Sequence, residues 1–221
     1  MTHFNKLGVN TQPFQASNCG LNIKWPKNIS DHHIGKPLKN IAIQHHGFKV
    51  KGEAVISNYG IEGNAVYPIS SSVRNGLNKE KETFISIDFK PNQSVKELLE
   101  KVNNLLPKNF SKALKLDAAS VSLLKSFTTK EQFITPENYC KSVKNLIIPV
   151  QSLRPIEEAI STVGGIEIKN LNTNFSLIKH PHIFCIGEMV NWDAPTGGFL
   201  LQGCFSMANH TAQEIIKQKN T

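Results

Sequence analysis

The residues with the clearest capacity for chemistry lie near the C-terminus, in the stretch GEMVNWDAPTGGF at positions 187–199. This stretch combines two acids, Glu188 and Asp193, with a Gly197-Gly198 step. An apolar run, HIFCI, precedes it and a helical pattern follows it, so we expect a buried strand, a loop and a helix. The first-turn amides of a helix lack intrahelical partners and carry partial positive charge. Glycines at that point would let a planar ligand approach the amides closely.

These properties suit FAD, because an acid at the strand end can accept hydrogen bonds from ribitol hydroxyls and the helix start can stabilise an electron-rich ring edge. The alternative is a strand-to-helix turn in which the glycines serve geometry alone and Asp193 caps the loop. The sequence indicates no catalytic acid or base. The predicted cofactor-binding residues are Gly187, Glu188, Asp193, Pro195, Thr196, Gly197, Gly198 and Phe199.

The remaining residues with ligand or nucleophile chemistry predict no metal site. Adjacent histidines, as at positions 45–46, point to opposite faces of a strand and make poor joint ligands. His180 and His182 share a face but lack a third ligand. The four cysteines have no C-x-x-C spacing, and no serine lies in a G-x-S-x-G turn.

Composition indicates a globular protein of one or two domains, since 39% of the 221 residues are hydrophobic and 19% are charged. The net charge is +8, but the lysines are spread along the chain, so we expect a solvated basic surface and no nucleic-acid partner. No apolar run approaches the ~20 residues of a membrane span, and no secretory leader pattern is visible. With free thiols, these features predict a cytoplasmic protein without a membrane partner.

Hydrophobic periodicity predicts an α+β chain. Short apolar runs before residue 90 are broken by glycines and indicate antiparallel strands, and ETFISIDF alternates with one apolar face. The period becomes helical after Pro91, where Ser94 and Glu97 form a capping box ahead of a leucine-rich stripe that extends to Leu106. Strands return at Leu146, and a final helix is expected from Phe199 to Lys217. The residues expected on its apolar face are Leu201, Cys204, Phe205, Ala208, Ala212 and Ile215.

The terminal segment GEMVNWDAPTGGFLLQGCFSMANHTAQEII resembles the C-terminal FAD-binding segment of the BaiN-like flavoproteins, also described as aminoacetone-oxidase-like NAD(P)/FAD-dependent oxidoreductases. Four earlier segments resemble further landmarks of that family in the same order: PFQASNCGLNIKW, GKPLKNIAI, SNYGIEGNAVYPISSSVRN and STVGGIEI. The resemblance covers most of residues 7–217.

The resemblance implies a Rossmann-like FAD domain interrupted by an inserted β-barrel-like domain that carries a helical subdomain. Residues 1–90 and 146–155 would then form the inserted β domain, residues 91–145 the helical subdomain, and residues 156–221 the last strand, loop and helix of the FAD domain. The implied activity is hydride transfer from NAD(P)H through FAD to an acceptor that the sequence does not identify.

The chain departs from this family pattern in two respects. It contains no G-x-G-x-x-G, since neither Gly60 with Gly63 nor Gly164 with Gly165 has that spacing. Asn191 also stands where the family branch has aspartate. We therefore expect a fragment that is inactive alone and needs a complementing N-terminal FAD-domain chain. The alternative is a truncated or degenerate product, or an interaction module, that binds no flavin by itself.

Overall fold

The computed structural model describes residues 1–80 and 82–219. Lys81, Asn220 and Thr221, which fall in the predicted segments 1–90 and 156–221, lie outside the described residues. The helices in the described part are α1 (Thr2–Lys6), α2 (Lys27–His32), α3 (Ser70–Lys79), α4 (Val95–Val102), α5 (Phe110–Ala113), α6 (Ala118–Phe127), α7 (Lys130–Ile134), α8 (Pro136–Lys144) and α9 (Phe199–Lys219). The strands are β1 (Thr11–Ser17), β2 (Leu21–Asn22), β3 (Pro37–His45), β4 (Phe48–Ile56), β5 (Gly60–Glu62), β6 (Thr83–Asp88), β7 (Leu146–Val150), β8 (Ser152–Leu153), β9 (Ser161–Ile166), β10 (Ser176–Leu177) and β11 (His180–Phe184).

The chain forms two compact units. One comprises Cys19–Arg154, and the other comprises Met1–Asn18 together with the chain from Pro155 onward. The sequence-based division differs, because it placed residues 1–18 with the β domain. The physical reason is strand pairing, since β1 pairs antiparallel with β9 from Thr11 opposite Ile166 to Ser17 opposite Ser161. Periodicity identifies a strand but does not identify its distant partner.

The Cys19–Arg154 unit is built on a seven-stranded antiparallel sheet with the order β7-β6-β3-β4-β5-β2-β8. Strands β7 and β8 lie at opposite ends of this order, yet Gln151 alone separates them in the chain. The Gln151 amide donates to the Asn22 carbonyl at 2.9 Å. The sheet therefore curves until its two edges meet, which confirms the predicted α+β class with a barrel-like domain.

Alternation along the strands fills the barrel, as the sequence predicts for β6. Ile85 and Ile87 are buried, whereas Phe84 on the opposite face is exposed. The helices pack on this core with Leu98, Phe110 and other buried side chains in the same apolar cluster. No helix within the described ranges is both long and apolar enough to cross a membrane.

The predicted helix starts are confirmed, but one predicted end is wrong. Ser94 and Glu97 form the capping box of α4, and Pro136 occupies the first position of α8. Helix α4 ends at Val102, so Leu105 and Leu106 lie beyond it and are exposed. Two asparagines follow Val102, and asparagine is a weak helix former, which accounts for the early end.

The second unit has a small core of Val9, Ile166, Leu177, Cys185 and Val190. Within it β10 pairs antiparallel with β11, and an isolated parallel bridge joins Ile166 to Val190. A strand is present where HIFCIGE predicts one, but its predicted extent and burial are wrong. Strand β11 ends at Phe184, and Ile183 and Phe184 are only half-buried. Apolar content alone did not distinguish this two-stranded ribbon from a central strand of a parallel sheet.

Candidate functional site

The predicted site residues lie in one loop that joins β11 to α9. After Phe184 the chain passes through a single 3-10 turn, Gly187–Met189, and then an irregular segment before α9 begins at Phe199. The predicted order of strand, loop and helix is therefore present. Strand β11 and helix α9 fix the ends of the loop, and side-chain contacts hold its middle.

The Gly197-Gly198 step requires glycine because both residues have positive φ, at 112° and 90°. Both are exposed, and a Cβ built on Gly198 would meet no atom within 4 Å. The Gly198 carbonyl accepts from the Gln202 amide at 2.9 Å, which is the first hydrogen bond of α9. The N–H groups of the first turn, from Phe199 to Leu201, thus have no intrahelical acceptor and lie beside an open backbone surface.

Trp192 fastens the loop to α9. Its indole N–H donates to the Gly187 carbonyl at 2.9 Å. The ring lies against Gly203, where a Cβ would fall 2.4 Å from the Trp192 Cη2 atom. Glycine at position 203 therefore gives the indole the space it needs to reach from the 3-10 turn to the helix.

Asn191 joins the loop to β9. Its backbone amide donates to the Ile166 carbonyl at 2.7 Å, and its side-chain Oδ1 accepts from the Gly164 backbone amide at 3.2 Å. A carboxylate oxygen can accept the same bond, so asparagine in place of aspartate preserves this contact. The Gly164-Gly165 pair has a packing role here, because a Cβ on Gly165 would lie 2.2 Å from the Met189 carbonyl oxygen.

Asp193 and Ala194 join the same loop to the end of β1. The Ser17 hydroxyl donates to Asp193 Oδ1 at 2.7 Å. The Asn18 side-chain amide donates to the Ala194 carbonyl and to Ser161 Oγ, each at 2.7 Å. Asp193 thus has at least one structural hydrogen bond, which joins it to β1.

Sequence reasoning missed the buried residues Ser17 and Asn18, which donate to the loop, and Ser161, which accepts from Asn18. The available indication was the polar pair Ser17-Asn18 at the end of a strand pattern, directly before a cysteine and a glycine. Their partners are more than 140 residues away in the chain, so no local pattern identifies them.

The other predicted residues line the outer side of the loop. Glu188 is exposed in the 3-10 turn, Pro195 is exposed, and Thr196 is half-buried. Phe199 presents its ring to solvent with 60% exposure. The loop therefore places a carboxylate, open backbone amides and an apolar ring within one short segment, which is suited to an amphipathic planar ligand.

The predicted apolar face of α9 is largely uncovered in the structure. Leu201 and Phe205 are 63% and 67% exposed, and Ile216 is also exposed. The helix instead buries Thr211, whose hydroxyl donates to the Asn174 carbonyl at 3.3 Å. An exposed apolar stripe of this kind indicates a surface for interaction.

Comparison with known families identifies the barrel. A family model described as HI0933-like protein barrel and H2TH domain matches residues 15–161, which is more than half of the chain. No curated protein matches the chain.

Proposed function

The chain belongs to the HI0933-like protein family, whose barrel and H2TH domain it contains, and we propose from this premise that it serves in an FAD-dependent oxidoreductase. The resemblance of its landmarks to the BaiN-like flavoproteins supports this proposal. In it, the barrel unit is the inserted domain of the flavoenzyme and the loop 187–199 faces the flavin.

The observation that carries the proposal is the open backbone at Gly197 and Gly198. The Gly198 Cβ position is empty of neighbours, and the 21-residue helix α9 begins one residue later. Unpaired first-turn amides and the helix dipole favour negative charge at this point. A flat ring can lie against such a surface only if no side chain projects from it.

Several residues of the loop would hold the flavin. Glu188 would accept hydrogen bonds from the ribitol hydroxyls, and Thr196 to Phe199 would contact the edge of the ring. The start of α9 would favour negative charge on a bound ring, because the helix orients its amides before any charge develops. When bound, FAD supplies the hydride transfer between NAD(P)H and an acceptor, and the protein supplies position and electrostatics.

The loop forms only part of an FAD site. Binding of the pyrophosphate in a dinucleotide fold depends on a glycine-rich strand-to-helix turn, and the 221 residues contain no G-x-G-x-x-G. We therefore propose that a polypeptide segment with that motif completes the site. The exposed stripe of Leu201, Phe205 and Ile216 on α9 is the surface it would cover.

The direct test is to purify the chain together with a segment that carries the glycine motif and to measure the visible absorbance of bound flavin. A complex that retains flavin, when neither part does alone, supports the proposal. A complex that forms without flavin favours the alternative, an interaction module that contacts its partner through α9.

A matched pair of variants assigns the flavin to the loop. Gly198→Ala and Gly35→Ala both place a Cβ at positive φ, 90° and 79°, with no atom within 4 Å. The two changes therefore carry a similar backbone cost. In the complex with the completing segment, we expect Gly198→Ala to weaken FAD binding by about tenfold or more, equivalent to ~1.4 kcal/mol. Gly35→Ala should leave the affinity for FAD unchanged. Equal affinities for the two variants would contradict the assignment.

A further inference from the structure

The Cys19–Arg154 unit contains a cavity of about 380 Å³ whose lining is rich in lysine. It is bounded by the irregular part of β3 near Asn40, by the residues that follow β6, and by the start of α6. Lys39, Lys90 and Lys115 line it, one from each of three separate chain segments, and Lys90 Nζ donates to the Lys115 carbonyl at 3.1 Å. This convergence was not apparent in the sequence, where the lysines are spread along the chain.

Two further lysines reinforce the cavity from outside its lining. Lys51 Nζ donates to the Asn92 side-chain carbonyl at 3.0 Å, and Lys101 Nζ donates to that of Gln93 at 2.7 Å. Asn92 and Gln93 line the cavity, and their carbonyl oxygens are engaged by these lysines. The remaining function of each amide is its NH₂ group, which is a hydrogen-bond donor.

Negative charge at the cavity is limited. Among the described lining residues the one acid is Asp117, whose two oxygens accept from the amide and the hydroxyl of Ser120 at 2.8 and 3.0 Å. Burial lowers the pKa of Lys90. The charge of Asp117 raises this pKa, and the charges of nearby Lys101 and Lys115 lower it. The lining therefore holds more positive than negative charge and is partly shielded from water. A bound anion would stabilise these positive charges.

The backbone at the cavity departs from the preferred conformation at two lining residues. Asn40 and Lys115 have φ values of 52° and 50°. Lys115 follows α5, and its amide donates to the Lys112 carbonyl at 3.1 Å. The next amide, of Leu116, donates to the Ser111 carbonyl at 2.9 Å, which completes a helix ending that favours glycine at position 115. Lysine at this position is therefore costly for the backbone and supplies a charge that glycine cannot.

We propose that this cavity binds the phosphate group of a small phosphorylated ligand. Lysine ammonium groups and side-chain amides supply the donors that phosphate oxygens require. The volume lies within the range of small-molecule sites, and Phe89 and Leu116 offer apolar surface for the remainder of a ligand. This proposal is independent of the flavin-facing loop, which belongs to the other unit of the chain.

The test is calorimetric titration of the full chain with inorganic phosphate, pyrophosphate and adenosine monophosphate. We expect at least one of them to bind, and Lys39→Gln and Lys90→Gln each to weaken that binding by about tenfold, since a hydrogen bond to a charged group contributes enough for this change. Lys130→Gln, an exposed lysine on α7 outside the cavity, is the matched control and should change nothing. Tighter binding of the nucleotide than of both inorganic anions identifies a nucleotide ligand, and the reverse order identifies an inorganic one.

Lys115→Gly separates a role in binding from a role in folding. It removes a charge and also relieves the positive-φ strain, so we expect weaker phosphate binding together with an unchanged or higher midpoint of urea unfolding. The proposal is overturned if none of the three probes binds, or if Lys130→Gln weakens binding as much as the cavity variants do.

Discussion

The contact between Trp192 and Gly203 offers a sharp test of how the loop 187–199 is held, through the substitution Gly203→Ala. Position 203 lies inside α9, where alanine is favoured over glycine by about 1 kcal/mol. Helix propensity alone therefore predicts that the variant is more stable. The packing of the indole predicts the opposite sign.

The magnitude follows from the distances. A Cβ on residue 203 would lie 2.4, 2.9 and 3.2 Å from three carbons of the Trp192 ring. Such overpacking costs about 1–3 kcal/mol. The ring is also held by its hydrogen bond to the Gly187 carbonyl, whose loss costs about 1 kcal/mol more. After the propensity gain of about 1 kcal/mol is subtracted, we expect a net destabilisation of about 2 kcal/mol.

Equilibrium urea unfolding measures this change, and amide hydrogen exchange locates it by showing whether α9 and residues 187–192 lose protection. A double-mutant cycle supplies the control. In a Trp192→Leu background the steric conflict is absent, so Gly203→Ala should stabilise by about 1 kcal/mol. A stabilising effect of Gly203→Ala in the original background would refute the role assigned to the indole.

Two further predictions concern the barrel unit. Gly60→Ala should destabilise it by more than about 3 kcal/mol, because a Cβ there would lie 2.0 Å from the Leu21 carbonyl oxygen and the backbone would have to shift. A urea unfolding midpoint equal to that of Gly35→Ala would contradict this prediction. Burial, with a smaller effect of His46, lowers the pKa of His45 below 6.5. Below pH 6.5 the unfolded state then binds more protons than the folded state. The free energy of unfolding should therefore be highest above pH 6.5 and fall as the pH drops through the lowered pKa. As the pH is lowered below 6.5, the urea unfolding midpoint should fall less in a His45→Gln variant than in the unsubstituted protein. Parallel pH curves for the two proteins would show that His45 is not the cause of the fall.

The sequence predicted those parts of the fold that depend on neighbours in the chain. The capping box of Ser94 and Glu97 is local chemistry, and the alternation in β6 reports a face that the barrel buries. The position of the site loop followed from the order of an apolar run, a glycine pair and a helical pattern, all within about 40 residues of the C-terminus.

Features that depend on distant pairing were not predictable from local patterns. Residues 1–18 belong with the C-terminal part because β1 pairs with β9, and Asn18 holds the loop through Ala194. The apolar stripe that includes Leu201 and Phe205 was predictable from its period, but the sequence does not indicate what covers it. The lysine-lined cavity likewise depends on three segments that only the folded barrel unit brings together.

The measurement that tests the central claim most directly is amide hydrogen exchange of the FAD-loaded complex with the completing segment, compared with the same complex without FAD. Our account predicts that FAD slows exchange at Gly198, Phe199 and the next two amides of α9, while the amide of Gly35 in the other unit is unaffected. Flavin bound in the complex with no change at the start of α9 would contradict the proposed site.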